Sequence, residues 1–158
     1  MIKLIIYVDA DACPVQNETI EVADLFSLEV VLVKSYSHYS HDQLADHVRT
    51  IYVDPGNDMA DFEIVKLAQQ QDIIITHDYG LAAICLGKKC TVIHPKGFRY
   101  TNKNIDRLLQ TRHDHALMRR AGQRTRGPRA FTTEDKQKFT RTLTTSIQFL
   151  LKTNINEQ

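Results

Sequence analysis

The chain has only three cysteines in 158 residues, Cys13, Cys85 and Cys90. An odd number without a CxxC spacing excludes a disulfide framework and argues against a zinc site. No apolar run approaches the roughly 20 residues that span a bilayer. The opening residues also lack a basic segment followed by a long apolar stretch, so no membrane partner is expected and a cytoplasmic location is. Nothing calls for a second domain. A chain of this length and mixed composition suits one compact unit with a real core, placed here at residues 1–150 with 151–158 as a frayed tail.

What is present centres on Leu4-Ile5-Ile6-Tyr7-Val8-Asp9-Ala10-Asp11-Ala12-Cys13-Pro14. Consecutive large apolar residues, several β-branched, suit a strand buried on both faces, and the proline fits the first turn of a following helix. Asp9 and Asp11 then stand at the carboxyl end of a parallel strand, the edge where open α/β sheets bind ligands. The structural alternative is that Asp11 caps the next helix and Asp9 makes local turn bonds. Cys13 lies beside a helix start, but the neighbouring carboxylates oppose a thiolate, so a structural role is expected.

The net charge of +1 conceals an asymmetry. Residues up to Pro95 hold 14 acids against 6 bases, whereas Lys96 to Arg129 hold 10 bases against 2 acids. An acidic body with a basic segment suits cations on the one and a polyanion on the other, unless the two simply neutralise each other.

Along the chain, Val15 to Phe26 has helical spacing and Leu28 to Val33 reads as a strand. Ser35 to His47 is a polar loop running into a short helix, and its three histidines are read as surface residues for want of a paired spacing. Val48 to Val53 is a third strand, followed by the turn Asp54-Pro55-Gly56-Asn57. Asp58 is placed as the N-cap of a helix that buries Met59, Phe62, Val65, Leu67 and Ala68. Asp61, in its first turn, is assigned to function because that helix starts near the Asp9 edge. Asp72 to Thr76 repeats the opening pattern and ends in Thr76-His77-Asp78, before a helix that stops at Gly87. Thr91 to Ile93 is a fifth strand. The alternation predicts a three-layer α/β/α sandwich with a mainly parallel sheet of about five strands and added C-terminal helices.

Beyond Pro95 a helix from about Asn104 to Arg120 leads into an acid-free loop, Ala121 to Arg129. Arg119, Arg120, Arg124, Arg126 and Arg129 form its cationic run, and guanidinium forks pair bidentately with phosphates. The last helix starts near Thr132, with Asp135 completing a capping box, and buries Phe139, Leu143, Ile147 and Leu150.

Asp9 to Pro14, Asp58-Met59-Ala60-Asp61, Thr76-His77-Asp78 with Leu81-Ala82-Ala83, Tyr100-Thr101 with Asn104-Ile105, and Gly127-Pro128 with Phe131 carry a resemblance that spans nearly the whole chain in order. The sequence resembles the bacterial YaiI/YqxD (UPF0178) family, related to PIN-like nucleases. Arg126 stands where a second glycine is expected before Gly127-Pro128. The PIN relation implies an acidic pocket that binds Mg2+ or Mn2+ for phosphodiester hydrolysis, with RNA favoured over DNA as the partner. Three carboxylates gathered within a few ångströms repel by roughly 4 kcal/mol per pair at 4 Å, so a proton or a cation must relieve them. In that scheme Asp9 and Asp78 are direct metal ligands, Asp61 is a ligand directly or through water, and Asp11 is a ligand or orients the attacking water. Two other readings stay open: a nucleic-acid-binding module without catalysis, and a phosphatase or phosphotransferase with Asp9 as nucleophile. Chain order speaks against the second, because Gly56-Asn57-Asp58 precedes Thr76 and Lys88, whereas the haloacid-dehalogenase pattern has its acidic motif last.

Overall fold

The structure, a computed structural model, describes residues 3–41, 43–56, 58–125 and 129–156. Five strands form one parallel sheet: β1 (Ile5–Asp9), β2 (Glu29–Ser35), β3 (Val48–Val53), β4 (Ile73–Ile75) and β5 (Thr91–Ile93). Their order is β3-β2-β1-β4-β5. The helices are α1 (Gln16–Leu25), α2 (Met59–Leu67), α3 (Tyr79–Gly87), α4 (Ile105–Arg120) and α5 (Thr133–Asn156), with one 3-10 turn at Tyr36–His38.

Period-two alternation splits the apolar strands between two cores. Ile6, Val8, Val30, Leu32, Ile73 and Ile75 face one layer with Val22 of α1 and Phe139, Leu143 and Ile147 of α5. Tyr7, Val31, Val33, Ile74 and Val92 face the other, with Ile64 of α2, Leu81 and Cys85 of α3, and Ile105 of α4. The three-layer α/β/α sandwich expected from the strand-helix alternation is therefore the fold.

Several local expectations are corrected by packing. Pro14 lies two residues ahead of α1, whose cap position is Val15. The single turn at Tyr36–His38 comes at the start of the Ser35–His47 loop. On α2 the row that meets the sheet is Ala60, Ile64 and Ala68, spaced four apart, with Val65 and Leu67 beside it. Phe62 is 68% exposed and Met59 is exposed too. With Ile64 buried against the sheet, Phe62 stands two residues before it, about 200° round the helix, and is turned outward. Asp58 occupies the cap position of α2, but its φ is 68° and its side chain makes no capping bond. The box at α5 forms as expected: the Asp135 N–H donates to Thr132 Oγ1 (3.1 Å) and the Thr132 N–H to Asp135 Oδ2 (3.0 Å). That helix continues past Leu150 to Asn156, with Leu151 packed on the core and Asn154 buried, where a frayed tail was expected.

After β5 the chain turns back through Gly97 to an antiparallel bridge between Ile93 and Arg99. Gly97 has φ 93°, and a Cβ there would stand 2.7 Å from the backbone of Lys138 and Phe139. Only glycine lets α5 close on this turn. Asp72 is also buried, but at the opposite edge of the sheet, where it accepts the N–H groups of Ile5 (3.1 Å) and Gln69 (2.9 Å).

Candidate acidic site

The strand order explains where the acids meet. From β1 the chain moves outward through β2 and β3, then crosses to the far side of β1 to lay down β4 and β5. The carboxyl ends of β1 and β4 flank this reversal, the place where open α/β sheets leave a crevice. Asp9 ends β1, and the segment Thr76-His77-Asp78 follows β4.

Thr76 joins the two ends. Its hydroxyl donates to Asp9 Oδ2 (2.9 Å) and accepts the Asp78 N–H (3.0 Å). Its carbonyl accepts the buried Tyr100 phenol (3.1 Å), which comes from the segment after β5. Burial lifts the Tyr100 pKa, so this donor keeps its proton. Neither Thr76 nor Tyr100 stood out as a site residue in the sequence, since what distinguishes them is a set of contacts made across the fold.

Beyond Asp9 the chain makes a turn closed by the Cys13 N–H donating to the Ala10 carbonyl (3.2 Å), with Ala12 in the left-handed region at φ 60°. Asp11 does not cap α1. It reaches the end of β2, where it accepts the Ser35 N–H (3.1 Å) and meets His38 Nδ1 at 2.7 Å. Burial pushes the Cys13 thiol up to about 11, in keeping with a structural role. His38 and His41 are exposed and His47 is half-buried against the Ile20 carbonyl (2.9 Å), so the three do not gather.

Six aspartates line one cavity of about 500 Å3 at this edge: Asp9, Asp11, Asp54, Asp58, Asp61 and Asp78. The electrostatics register the crowding. Asp9 is raised by burial and by Asp78 and Asp11, against lowering contributions from the Thr76 hydroxyl and His77. Asp61 is pushed up to about 7 by burial and then by the charges of Asp78 and Asp9. Asp78 serves α3 as N-cap, its Oδ1 accepting from Gly80 N (2.8 Å) and Leu81 N (3.1 Å), with Arg112 Nη1 3.8 Å away.

The donor set is all oxygen, which suits a hard divalent ion. Among the described residues, however, no three His, Cys, Asp or Glu side chains form a group that would hold an ion as they stand. The commitments of Asp9 to Thr76, Asp11 to Ser35 and His38, and Asp78 to α3 account for this. Joint coordination requires these side chains to turn into the basin.

The sequence-named arginines are divided by the structure. Arg119 and Arg120 end α4, where they oppose the macrodipole, and both are exposed, as is Arg124. Arg129 is ion-paired to Asp135 (3.0 Å). Arg126, with Gly127 and Pro128, lies outside the described residues. Among the described residues, the guanidinium that approaches a basin acid is Arg112, two turns before Arg119 on α4, at 3.8 Å from Asp78. Residues 112, 115 and 119 share one helix face, so a stripe of Arg112, His115 and Arg119 runs about 10 Å along α4 from Arg112. Its signal was the i, i+3, i+7 spacing, which becomes informative only once the docking of α4 beside α3 is known.

No helix among the described residues is long and apolar enough to cross a membrane. Residues 7–149 match the family described as "Uncharacterized BCR, YaiI/YqxD family". A UPF0178 protein of Bacillus thuringiensis subsp. konkukian is 55% identical over 134 residues, covering 85% of this chain and 92% of the relative. UPF0178 proteins of Bacillus anthracis and Bacillus cereus are 54% identical over the same share. No solved structure matches. With nearly all of its folded length inside the family match and more than half of the compared residues shared with these relatives, the chain belongs to the YaiI/YqxD family.

Proposed function

We propose that the protein is a metal-dependent phosphodiester hydrolase acting on nucleic acid, with RNA favoured. The observation that carries this reading is the convergence of six aspartates on the crevice between β1 and β4, with Asp61 lifted to about 7 by burial and then by the charges of Asp78 and Asp9. Such a site is short of positive charge, and a divalent cation supplies it. Asp9, Asp61 and Asp78 would hold Mg2+ or Mn2+, which when bound neutralises phosphate charge and acidifies a water. Asp11, held by Ser35 and His38, faces the same cavity as a group to orient that water. Thr76 fixes the Asp9 carboxylate by its hydroxyl bond and is itself held by Tyr100. Arg112 and the stripe behind it draw the phosphate backbone toward the basin without reading bases.

The test is hydrolysis of a labelled single-stranded RNA and its DNA counterpart in Mg2+ or Mn2+ against EDTA, for wild type and Asp9→Asn. Cleavage is expected in metal, to be lost in EDTA and to fall by orders of magnitude in the variant. Cleavage unchanged by EDTA, or retained by Asp9→Asn, would remove this reading. The engagement of Asp11 and Asp78 in existing bonds favours a second reading, a nucleic-acid-binding module without chemistry. It predicts RNA binding with no cleavage in any metal.

A further inference from the structure

The acidic basin does not end at His77 and Asp78. On their other side a second cavity of about 530 Å3 opens, sharing Ala12, His77 and Asp78 with the first. Its lining is of another kind. Among the described residues, Pro14, Tyr79, Pro95 and Phe131 give it apolar walls, and Arg112 and Lys96 bring two cations, the Lys96 ammonium also donating to the Arg129 carbonyl (2.5 Å), while Asp78 is its one acid. Arg112, on α4, is more than half exposed and has no charged partner closer than Asp78 at 3.8 Å among the described residues.

We propose that this cavity seats one unpaired nucleotide of a single strand, its base against the apolar walls and a phosphate on Arg112 and Lys96. The inference rests on the hydrolase reading and gives that site its substrate class. A simple anion has no use for the apolar walls, and an apolar ligand has none for two cations. A nucleotide combines a flat apolar base with a phosphate, and the cavity is of a size that holds such a molecule. A base inside a duplex has both faces covered by its neighbours in the stack, so a base that lies against these walls belongs to a single strand or is extruded. The shared ridge of His77 and Asp78 then sets the next phosphodiester link over the aspartates. The strand continues along Arg112, His115 and Arg119.

The test uses the whole chain in EDTA. Calorimetric titrations compare the four ribonucleoside 5′-monophosphates, the matching nucleosides and inorganic phosphate, on wild type, Arg112→Ala and Arg112→Lys. At least one monophosphate is expected to bind saturably and roughly tenfold tighter than its nucleoside or phosphate alone. Arg112→Ala should weaken it by roughly tenfold, and Arg112→Lys, which keeps the charge and loses the fork, by less. Arg112 is an exposed helical residue, so these variants keep the fold. No saturable binding of any monophosphate, equal affinity for phosphate alone, or an unaffected Arg112→Ala would overturn the proposal. Nucleotide binding without cleavage of RNA in metal would keep the pocket and remove the hydrolase. Cleavage that depends on Asp9, without nucleotide binding, would do the reverse.

Discussion

Asp61 offers the sharpest test of the basin's electrostatics, because its perturbation comes from burial and from two named neighbours. Its carboxyl is moved from the ordinary 3.8 to about 7. At face value such a rise corresponds to about 4 kcal/mol, but Asp61 is partly open to solvent, and screening reduces this to about 1 to 2 kcal/mol. The sign follows from proton binding. Between the two values the native state holds a proton that the unfolded chain has released, so the stability tied to protonated Asp61 is complete below about 3.8 and is lost as pH rises through about 7. Asp61→Asn is neutral at every pH and avoids the loss. In EDTA the variant is expected to match wild type near pH 3.5 and to exceed it by about 1 to 2 kcal/mol at pH 8, which for a chain of this size is roughly 3 to 6 °C in melting temperature. Paired thermal and urea unfolding across that range measures it. Millimolar Mn2+ at pH 8 should raise the wild-type midpoint and close the gap, since a ligand of the native state stabilises it. A variant less stable than wild type at pH 8, or a gain that does not grow with pH, would refute the claim that burial and its acidic neighbours hold Asp61 protonated.

Four further outcomes follow from particular contacts. Asp78→Ala should cost about 1 kcal/mol by uncapping α3, whereas Asp78→Asn keeps an acceptor for Gly80 and Leu81 and should cost less; urea midpoints separate the two. His94 accepts the Lys96 N–H at Nδ1 (2.9 Å) and is held down to about 4 by burial, then by His77 and Lys96. The unfolded chain binds that proton first, so wild type should lose about 2 kcal/mol as pH falls from about 6.5 toward 4, and His94→Phe should flatten that part of the pH-stability profile. Gly97→Ala should destabilise by roughly 2 kcal/mol or more because its Cβ meets the α5 backbone, while Gly87→Ala, which meets nothing within 4 Å, should stabilise α3 by about 0.5 kcal/mol; thermal melts of both give the contrast. Replacing Arg119 and Arg124 by Ala should weaken RNA binding and flatten its dependence on salt by about one unit of slope per lost phosphate contact, read from binding isotherms at several salt concentrations.

Much of the architecture is local information. The β-branched runs of β1, β2 and β4 and the helical spacing of α5 are short-range patterns, and burial on both sheet faces leaves such runs no other use. The capping box at Thr132 and Asp135 was legible for the same reason, since its partners lie three residues apart. That acids end β1 and follow β4 could also be read from the chain. What each side chain touches could not. Phe62 faces outward because α2 lies on the sheet by the row of Ala60, Ile64 and Ala68. Asp11 serves Ser35 and His38 because β2 is the parallel neighbour of β1, and Asp9 meets Thr76 because β4 is the other. The crossover that reverses the strand order brings residues 67 positions apart within 2.9 Å, and it also lays Arg112 and Lys96 beside the acids while Arg129 turns to Asp135. Periodicity and composition determined the elements and the charged ends they carry, because both are written in neighbouring residues. The tertiary structure alone decided which of those charges share a basin, because that depends on strand order and helix docking.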